Sequence, residues 1–255
     1  MKRNFKVCFL ILLGSLFLQL NTVSAADFHL ALSPATVEIG TFYNGVDLIV
    51  TGQVPIASEI VIRVSGEGES LHLKKKGKVG GLLWMNTGDI IFHNAPKVYK
   101  LVTASALKDL DNSPAREFSF AALKNRIEML PEGSDNDFLL KEFIRLKTKA
   151  NLYSITPDGI SYSPGEGDIK SFQATLHIPP SMKQGEYSVE VAAVQNDSVT
   201  GTSSLPLVLK QVGFPEKITS MAFGHSLWYG IISVIIAVLA GLFMSLLFKD
   251  NGGSH

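Results

Sequence analysis

Apolar and polar residues alternate in short runs through most of the chain, a pattern typical of β-strands whose two faces meet different surroundings. Between residues 26 and 105, runs rich in β-branched residues are separated by turn signals such as Asn44-Gly45 and Gly80-Gly81. Several short strands at this regular spacing predict an immunoglobulin-like β-sandwich.

A second β zone follows between residues 151 and 213. Residues 172–178 alternate cleanly between apolar and polar side chains, and Pro179-Pro180 ends the run. The later run Gly185-Glu186-Tyr187-Ser188-Val189 is typical of a sandwich corner in which a tyrosine hydroxyl bonds to nearby backbone. This zone predicts a second immunoglobulin-like sandwich zone, and the pattern leaves open whether the two zones form separate sandwiches or one continuous layer.

The period of the pattern changes between residues 106 and 150. Ser113-Pro114 is a favourable helix start, and Pro131 ends the first apolar run. Apolar residues then recur at helical or near-helical spacing in two groups: Phe118, Leu123, Ile127 and Leu130, then Leu139, Phe143, Leu146 and Ala150. We therefore expect an αα-hairpin that joins the two sandwiches.

Both ends of the chain carry apolar runs that are longer than the strands of the β zones. Lys2, Arg3 and Lys6 precede an apolar run, and small residues at 23–25 complete a signal peptide over residues 1–25. Residues 227–248 carry no charge and are long enough to cross a bilayer. Trp228 and Tyr229 lie where an aromatic belt is expected.

These ends predict a single-pass protein of the inner (cytoplasmic) membrane with its main body in the periplasm. A linker over residues 214–226 leads to the transmembrane helix, and residues 249–255 form a cytoplasmic tail. The single cysteine, Cys8, is removed with the signal peptide, which excludes disulfides and thiolate chemistry. The exported body has 19 basic and 22 acidic residues, so a general nucleic-acid binder is not expected.

The sequence contains no motif that predicts catalysis, a metal site or a cofactor. The six histidines form no HxH or HExxH spacing, and no Gly-x-Ser-x-Gly elbow is present. We therefore expect no enzyme activity, no cofactor and no metal.

Two features suggest contacts with other molecules. Lys74, Lys75, Lys76 and Lys78 place four cations in five residues, which would suit an anion, an acidic partner or anionic lipid headgroups, or would simply be a solvated hairpin tip. The other feature is a row of small residues along one face of the transmembrane helix, which would let a second helix approach closely. These residues are Gly230, Ser233, Ala237, Gly241 and Ser245.

The chain resembles the uncharacterised putative transmembrane protein family first described from alpha-proteobacteria. The matching stretches are Ala31-Leu32-Ser33, Val37-Glu38-Ile39, residues 71–86, Phe92 with Pro96 and Tyr99, residues 185–189 and residues 210–214. The resemblance implies a signal peptide, a periplasmic β-rich body and one C-terminal anchor. Members are often encoded near permeases of the sulfite-exporter type, which implies an accessory role, and no catalytic residues are established for the family.

Three hypotheses follow. The first is a non-enzymatic, membrane-anchored periplasmic accessory protein that contacts a membrane transporter of the sulfite-exporter type. The second is a periplasmic anion- or ligand-binding module that uses the lysine cluster. The third is an enzyme of unknown class. The fold expected under all three is mainly β, with two immunoglobulin-like zones, a helical hairpin and one transmembrane helix.

Overall fold

The computed structural model describes residues 29–249 apart from 108, 132–134, 166 and 197. The predicted signal peptide with Cys8, and residues 250–255 of the predicted tail, lie outside the described residues. The described chain is mostly β, as the alternating pattern predicts. The strands are β1 (Leu30–Ser33), β2 (Thr36–Ile39), β3 (Val46–Pro55), β4 (Glu59–Gly66), β5 (Gly68–Val79), β6 (Leu83–Pro96), β7 (Tyr99–Thr103), β8 (Glu128–Leu130), β9 (Tyr153–Thr156), β10 (Ile160–Pro164), β11 (Ile169–Ile178), β12 (Gly185–Gln195) and β13 (Ser198–Gln211).

Strands from both β zones combine in common sheets. Sheet A has the order β1-β3-β11-β10, and sheet B has the order β2-β13-β12-β4-β7-β9. Sheet C is a smaller sheet of order β5-β6-β8. Most neighbours are antiparallel, whereas β2 runs parallel to β13 and β9 parallel to β7.

The two β zones therefore do not each form a sandwich of their own, a point that the sequence pattern left open. In sheet A, β3 pairs with β11 from Val46 opposite Ile178 to Pro55 opposite Ile169. In sheet B, β4 pairs with β12 over eight residue pairs. The consecutive strands β3 and β4 belong to different sheets, and each pairs with a strand of the second zone. Residues 30–105 and 151–211 therefore contribute strands to the same sandwich.

Sheets A and B enclose the first core with alternate side chains from each strand. In β11 every second residue from Phe172 to Ile178 is buried, which confirms the predicted alternation. The Tyr187 hydroxyl donates to the Lys183 carbonyl over 2.8 Å, so the predicted tyrosine corner is also present. Gly52 lies opposite the Phe172 ring, where an added Cβ would approach within 2.6 Å, so a larger residue would displace the Phe172 and Leu30 side chains.

A second core lies on the opposite face of sheet B. Val61, Tyr99 and Leu101 point into it, together with residues of β6 and of the segment that follows β7. Arg63 and Glu190 lie opposite each other on neighbouring strands and form an ion pair beside the Phe118 ring. Sheet B is consequently a middle layer with apolar packing on both faces.

The first helix of the predicted αα-hairpin is absent from the described residues. Short 3₁₀ segments take its place at Ser105–Leu107, Leu110–Asn112, Arg116–Phe118 and Phe120–Asn125, and strand β8 follows. The Phe118 carbonyl accepts a hydrogen bond from the buried Tyr99 hydroxyl at 2.9 Å, while Ala122 donates to Ser119 in a 3₁₀ turn. The irregular path lets Phe118, Leu123 and Ile127 all reach the second core.

The second predicted helix is present as α1 (Asn136–Lys149). Its buried face consists of Leu140, Phe143 and Lys147, whereas Leu146 is 55% exposed, so the predicted face is shifted by part of a turn. Phe143 stacks on Phe92 with ring centroids 4.5 Å apart. These contacts hold α1 against the second core.

A buried lysine completes the docking of α1. Lys147 Nζ donates to Glu69 Oε1 over 2.9 Å and to the Lys97 carbonyl over 3.4 Å. The same ammonium group lies 5.8 Å from the centroid of the Tyr153 ring. Burial raises the pKa of Tyr153, so its hydroxyl stays protonated and donates to the Pro96 carbonyl. Charged and polar groups thus join α1 to the ends of β5, β6 and β9.

Two further helices end the described chain. They are α2 (Phe214–Gly224) and α3 (Ser226–Lys249). Gly213 has a φ of 72° where β13 gives way to α2, a left-handed conformation that favours glycine. The residues of α3 up to Phe248 are exposed, so the helix projects from the β body.

We expect the stacked ring of Phe143 to be a major contributor to the stability of the second core. Phe143→Ala should lower the free energy of unfolding by about 3–5 kcal/mol, because it removes a buried aromatic side chain and leaves a cavity. Phe138→Ala on the same helix is the matched control, since Phe138 is 63% exposed. It should change stability by no more than about 0.5 kcal/mol.

The measurement is urea unfolding of the full chain in mild detergent, followed by near-ultraviolet circular dichroism of the body. Equal midpoints for the Phe143→Ala and Phe138→Ala variants would contradict the placement of α1 on the second core.

Candidate functional site

Strands β5 and β6 form a long two-stranded ribbon, which carries the predicted lysine cluster. They pair from Gly68 opposite Pro96 to Val79 opposite Leu83. The inner half of the ribbon packs into the second core through residues such as Phe92. Beyond a register irregularity between Lys75 and Lys76, the ribbon is exposed. We call residues 76–86 the ribbon tip.

Two glycines make the turn at the end of the ribbon. Gly80 and Gly81 have φ values of 62° and 76°, which side-chain-bearing residues adopt only with strain. No atom lies within 4 Å of a Cβ built at either position. The turn therefore requires glycine for its backbone conformation, and it is open on all sides within the described residues.

The structure brings the four predicted lysines together along β5. Lys74 Nζ lies 2.6 Å from Asp89 Oδ1, and Lys75 Nζ lies 3.3 Å from Asp135 Oδ2. Lys78 Nζ lies 5.5 Å from the centre of the Trp84 ring, directly across the ribbon. Solvent reaches both ion pairs, so they add little stability, and all four side chains remain at the surface.

The ribbon tip also carries an exposed apolar cluster that the sequence analysis did not single out. Strand alternation places Trp84 on one face of the ribbon and Val79, Leu83 and Met85 on the other. The exposed fractions are 51% for Val79, 87% for Leu82, 67% for Leu83, 67% for Trp84 and 52% for Met85. Several large apolar side chains exposed on both faces of one ribbon end, with lysines beside them, are typical of an interaction surface. In the sequence this cluster is marked only by four apolar residues directly after a double glycine, a pattern that a buried strand shows equally well.

The ribbon and the helix that leads to α3 start from the same end of sheet B. Strand β4 ends at Gly66, which lies opposite Tyr187 on β12. Gly185, two residues earlier on β12, lies opposite Leu209 near the end of β13. Neighbouring strands are about 4.8 Å apart, so the base of the ribbon lies roughly 10 Å from the end of β13.

Helix α3 contains the candidate membrane span, Ser226–Phe248. Among the described residues it is the one helix long and apolar enough to cross a membrane. Ser233 donates to the Tyr229 carbonyl over 2.7 Å, and no atom lies within 4 Å of a Cβ built at Gly230 or Gly241. The predicted row of small residues, which also includes Ala237 and Ser245, is exposed along its length.

A cavity of about 270 Å³ lies between α1 and the base of the ribbon. Its walls are mostly apolar, and the charged residues Glu69, Lys97, Lys147 and Lys183 border it. None of these residues was singled out from the sequence, because they come from four distant segments. The lysines at 74–78 do not line this cavity.

The described residues contain no group of three or more His, Cys, Asp or Glu side chains placed to hold a metal ion. Two histidines instead make local polar contacts. His93 Nδ1 lies 2.8 Å from the Ser70 hydroxyl, and His177 Nδ1 lies 2.7 Å from Asp47 Oδ1. These contacts connect neighbouring strands on exposed surfaces.

Comparison with known proteins gives one family. No curated protein matches the chain. The model of a family described as "Putative transmembrane protein (Alph_Pro_TM)" matches residues 27–250, which includes the β body and the candidate span. The chain therefore belongs to the family described in these words.

Proposed function

We propose that this chain is a non-enzymatic, membrane-anchored accessory protein that contacts a membrane transporter of the sulfite-exporter type. Its body would lie on the periplasmic side of the inner membrane. The family match supports a transmembrane protein, and the layout of the chain supports one anchor beside one large body. The transporter is what the family resemblance implies, because members of that family are often encoded near such permeases.

The observation that carries the proposal is the exposed row of small residues on α3. The row consists of Gly230, Ser233, Ala237, Gly241 and Ser245, and the described body does not cover it. Small side chains let two helices approach closely in lipid, where apolar surface alone provides no drive for association. A transporter helix is a suitable partner for this face.

The orientation follows from the predicted signal peptide at residues 1–25. Basic residues before an apolar run and small residues at its end are typical of an exported chain. A C-terminal span then acts as a stop-transfer anchor, with the β body on the exported side.

A second candidate function is the binding of an anionic ligand, supported by the cavity beside α1. Its apolar walls would contact a short hydrocarbon group, and the ammonium group of Lys183 would face a carboxylate or sulfonate, whereas Lys97 already pairs with Glu67. Lys147 already pairs with Glu69, so we assign it a structural role.

Co-purification tests the accessory role. The tagged full chain and a permease of the sulfite-exporter type are co-expressed, solubilised in mild detergent and purified through the tag. We expect the permease to co-elute with the unaltered chain. Gly241→Leu combined with Ala237→Leu should abolish co-elution, because the larger side chains hold the helices apart.

Leu239→Phe is the matched control for the transporter contact, because Leu239 faces the opposite side of α3 and gains bulk in the same way. We expect it to leave co-elution unchanged. Failure of the unaltered chain to retain the permease would contradict the proposal, and so would equal loss in both variants.

Calorimetric titration with hexanoate, a soluble short-chain carboxylate, tests the second candidate. We expect binding to the full chain in non-ionic detergent, with a loss for Lys183→Glu because the carboxylate side chain repels the anion. Lys76→Glu makes the same charge change away from the cavity and should leave binding unchanged. Loss of binding in the Lys76→Glu variant alone would assign anion contact to the lysine cluster and overturn the cavity assignment.

A further inference from the structure

We propose that the ribbon tip inserts its apolar residues into the surface of an anionic bilayer and so gives the body a second attachment to the membrane. The partner is the lipid surface itself. This inference goes beyond the transporter contact and does not depend on it.

The exposed side chains have the chemistry of a membrane interface. Leu82 and Leu83 are 87% and 67% exposed at the end of the ribbon, with Val79 and Met85 close by. Trp84 has an apolar ring and one polar N–H, the combination that concentrates indoles at the level of lipid headgroups. Exposure of these residues to water is unfavourable, and insertion into lipid relieves it.

The charge around the apolar tip matches an anionic surface. Residues 74–89 contain four lysines against one aspartate, and with Asp135, which pairs with Lys75, the local net charge is +2 on a body that is acidic overall. Basic residues beside an apolar insertion segment attract anionic headgroups, whereas their long apolar stems lie along the interface. Lys78 contacts the Trp84 ring, so a cation and an interfacial aromatic already lie side by side.

The length of the ribbon is compatible with a contact at the bilayer surface. Its twelve-residue first strand extends about 40 Å at roughly 3.3 Å per residue. The ribbon begins at the end of sheet B from which the chain leaves for the span. The eleven residues of α2 separate this end from α3 by at most about 16 Å of helix. The ribbon is therefore longer than the helix that separates the body from the candidate span.

A change of register gives the ribbon a place to bend. Lys75 lies opposite Gly88, but Lys76 lies opposite Asn86, so Thr87 is an extra residue on β6. Extra residues of this kind bend a strand pair and increase its local twist. The irregularity lies between the packed half of the ribbon and its exposed tip. A bend at this point would let the tip turn toward the membrane surface while the inner half stays packed.

The two tryptophans of the chain provide a direct test. The full chain with Trp228→Phe retains Trp84 as its only tryptophan. It is reconstituted into phosphatidylglycerol-containing vesicles with and without lipids brominated on their acyl chains. We expect a blue-shifted Trp84 emission and a loss of fluorescence with the brominated lipids. Lysine-to-glutamine changes at 74, 75, 76 and 78 should reduce that loss.

The reciprocal variant Trp84→Phe is the control. It reports on Trp228, which lies at the start of the candidate span and should be quenched in any inserted preparation. Quenching of Trp228 with a water-like, unquenched Trp84 would overturn the proposal. A blue-shifted Trp84 that brominated lipids fail to quench would also overturn it, because the tip would then contact protein rather than lipid.

Discussion

Apolar side chains must be buried on both faces of sheet B, and the other parts of the body are arranged around that requirement. In β4, Ile60 and Ile62 point into the first core, while Val61 points into the second. In β12, Val191 and Ala192 divide in the same way. A sheet with two apolar faces needs a covering layer on each side. Sheet A covers one face, and the 3₁₀ segments, α1 and the ribbon cover the other.

This arrangement also positions the surfaces that suggest function. The ribbon reaches the second core only through its inner half, so its outer half projects from the body with the lysines and the apolar tip. The base of the ribbon and the end of β13 meet at one end of sheet B. The same end holds the cavity bordered by Lys97 and Lys183. The structure therefore concentrates its candidate contact surfaces near the exit toward the membrane anchor.

Local features of the fold could be predicted from the sequence because they depend on neighbouring residues. The alternation in β11, the Tyr187 corner, helix α1 and the long apolar helix α3 all follow from local patterns. Strand partners could not be predicted in this way, since β3 and β11 lie more than a hundred residues apart. Period-two alternation specifies which side chains share a face, but it does not specify which strand lies alongside.

The candidate contact surfaces also differ in whether local sequence could predict them. The lysine cluster and the row of small residues on α3 were visible as short sequence patterns. The exposure of Leu82 to Met85 was not, because a short apolar run reads equally well as a buried strand. The burial of Lys147 depends on Glu69, which lies 78 residues earlier in the chain. Only the folded arrangement shows that this lysine is paired inside the body.

Amide hydrogen exchange of the full chain, resolved by peptide under increasing denaturant, tests the single-sandwich arrangement most directly. We expect β3, β4, β11 and β12 to become exchangeable together in one cooperative opening, because each sheet contains strands from both zones. The ribbon tip should exchange much earlier. Separate openings for residues 30–105 and 151–211 would contradict a single sandwich with sheet B as its middle layer.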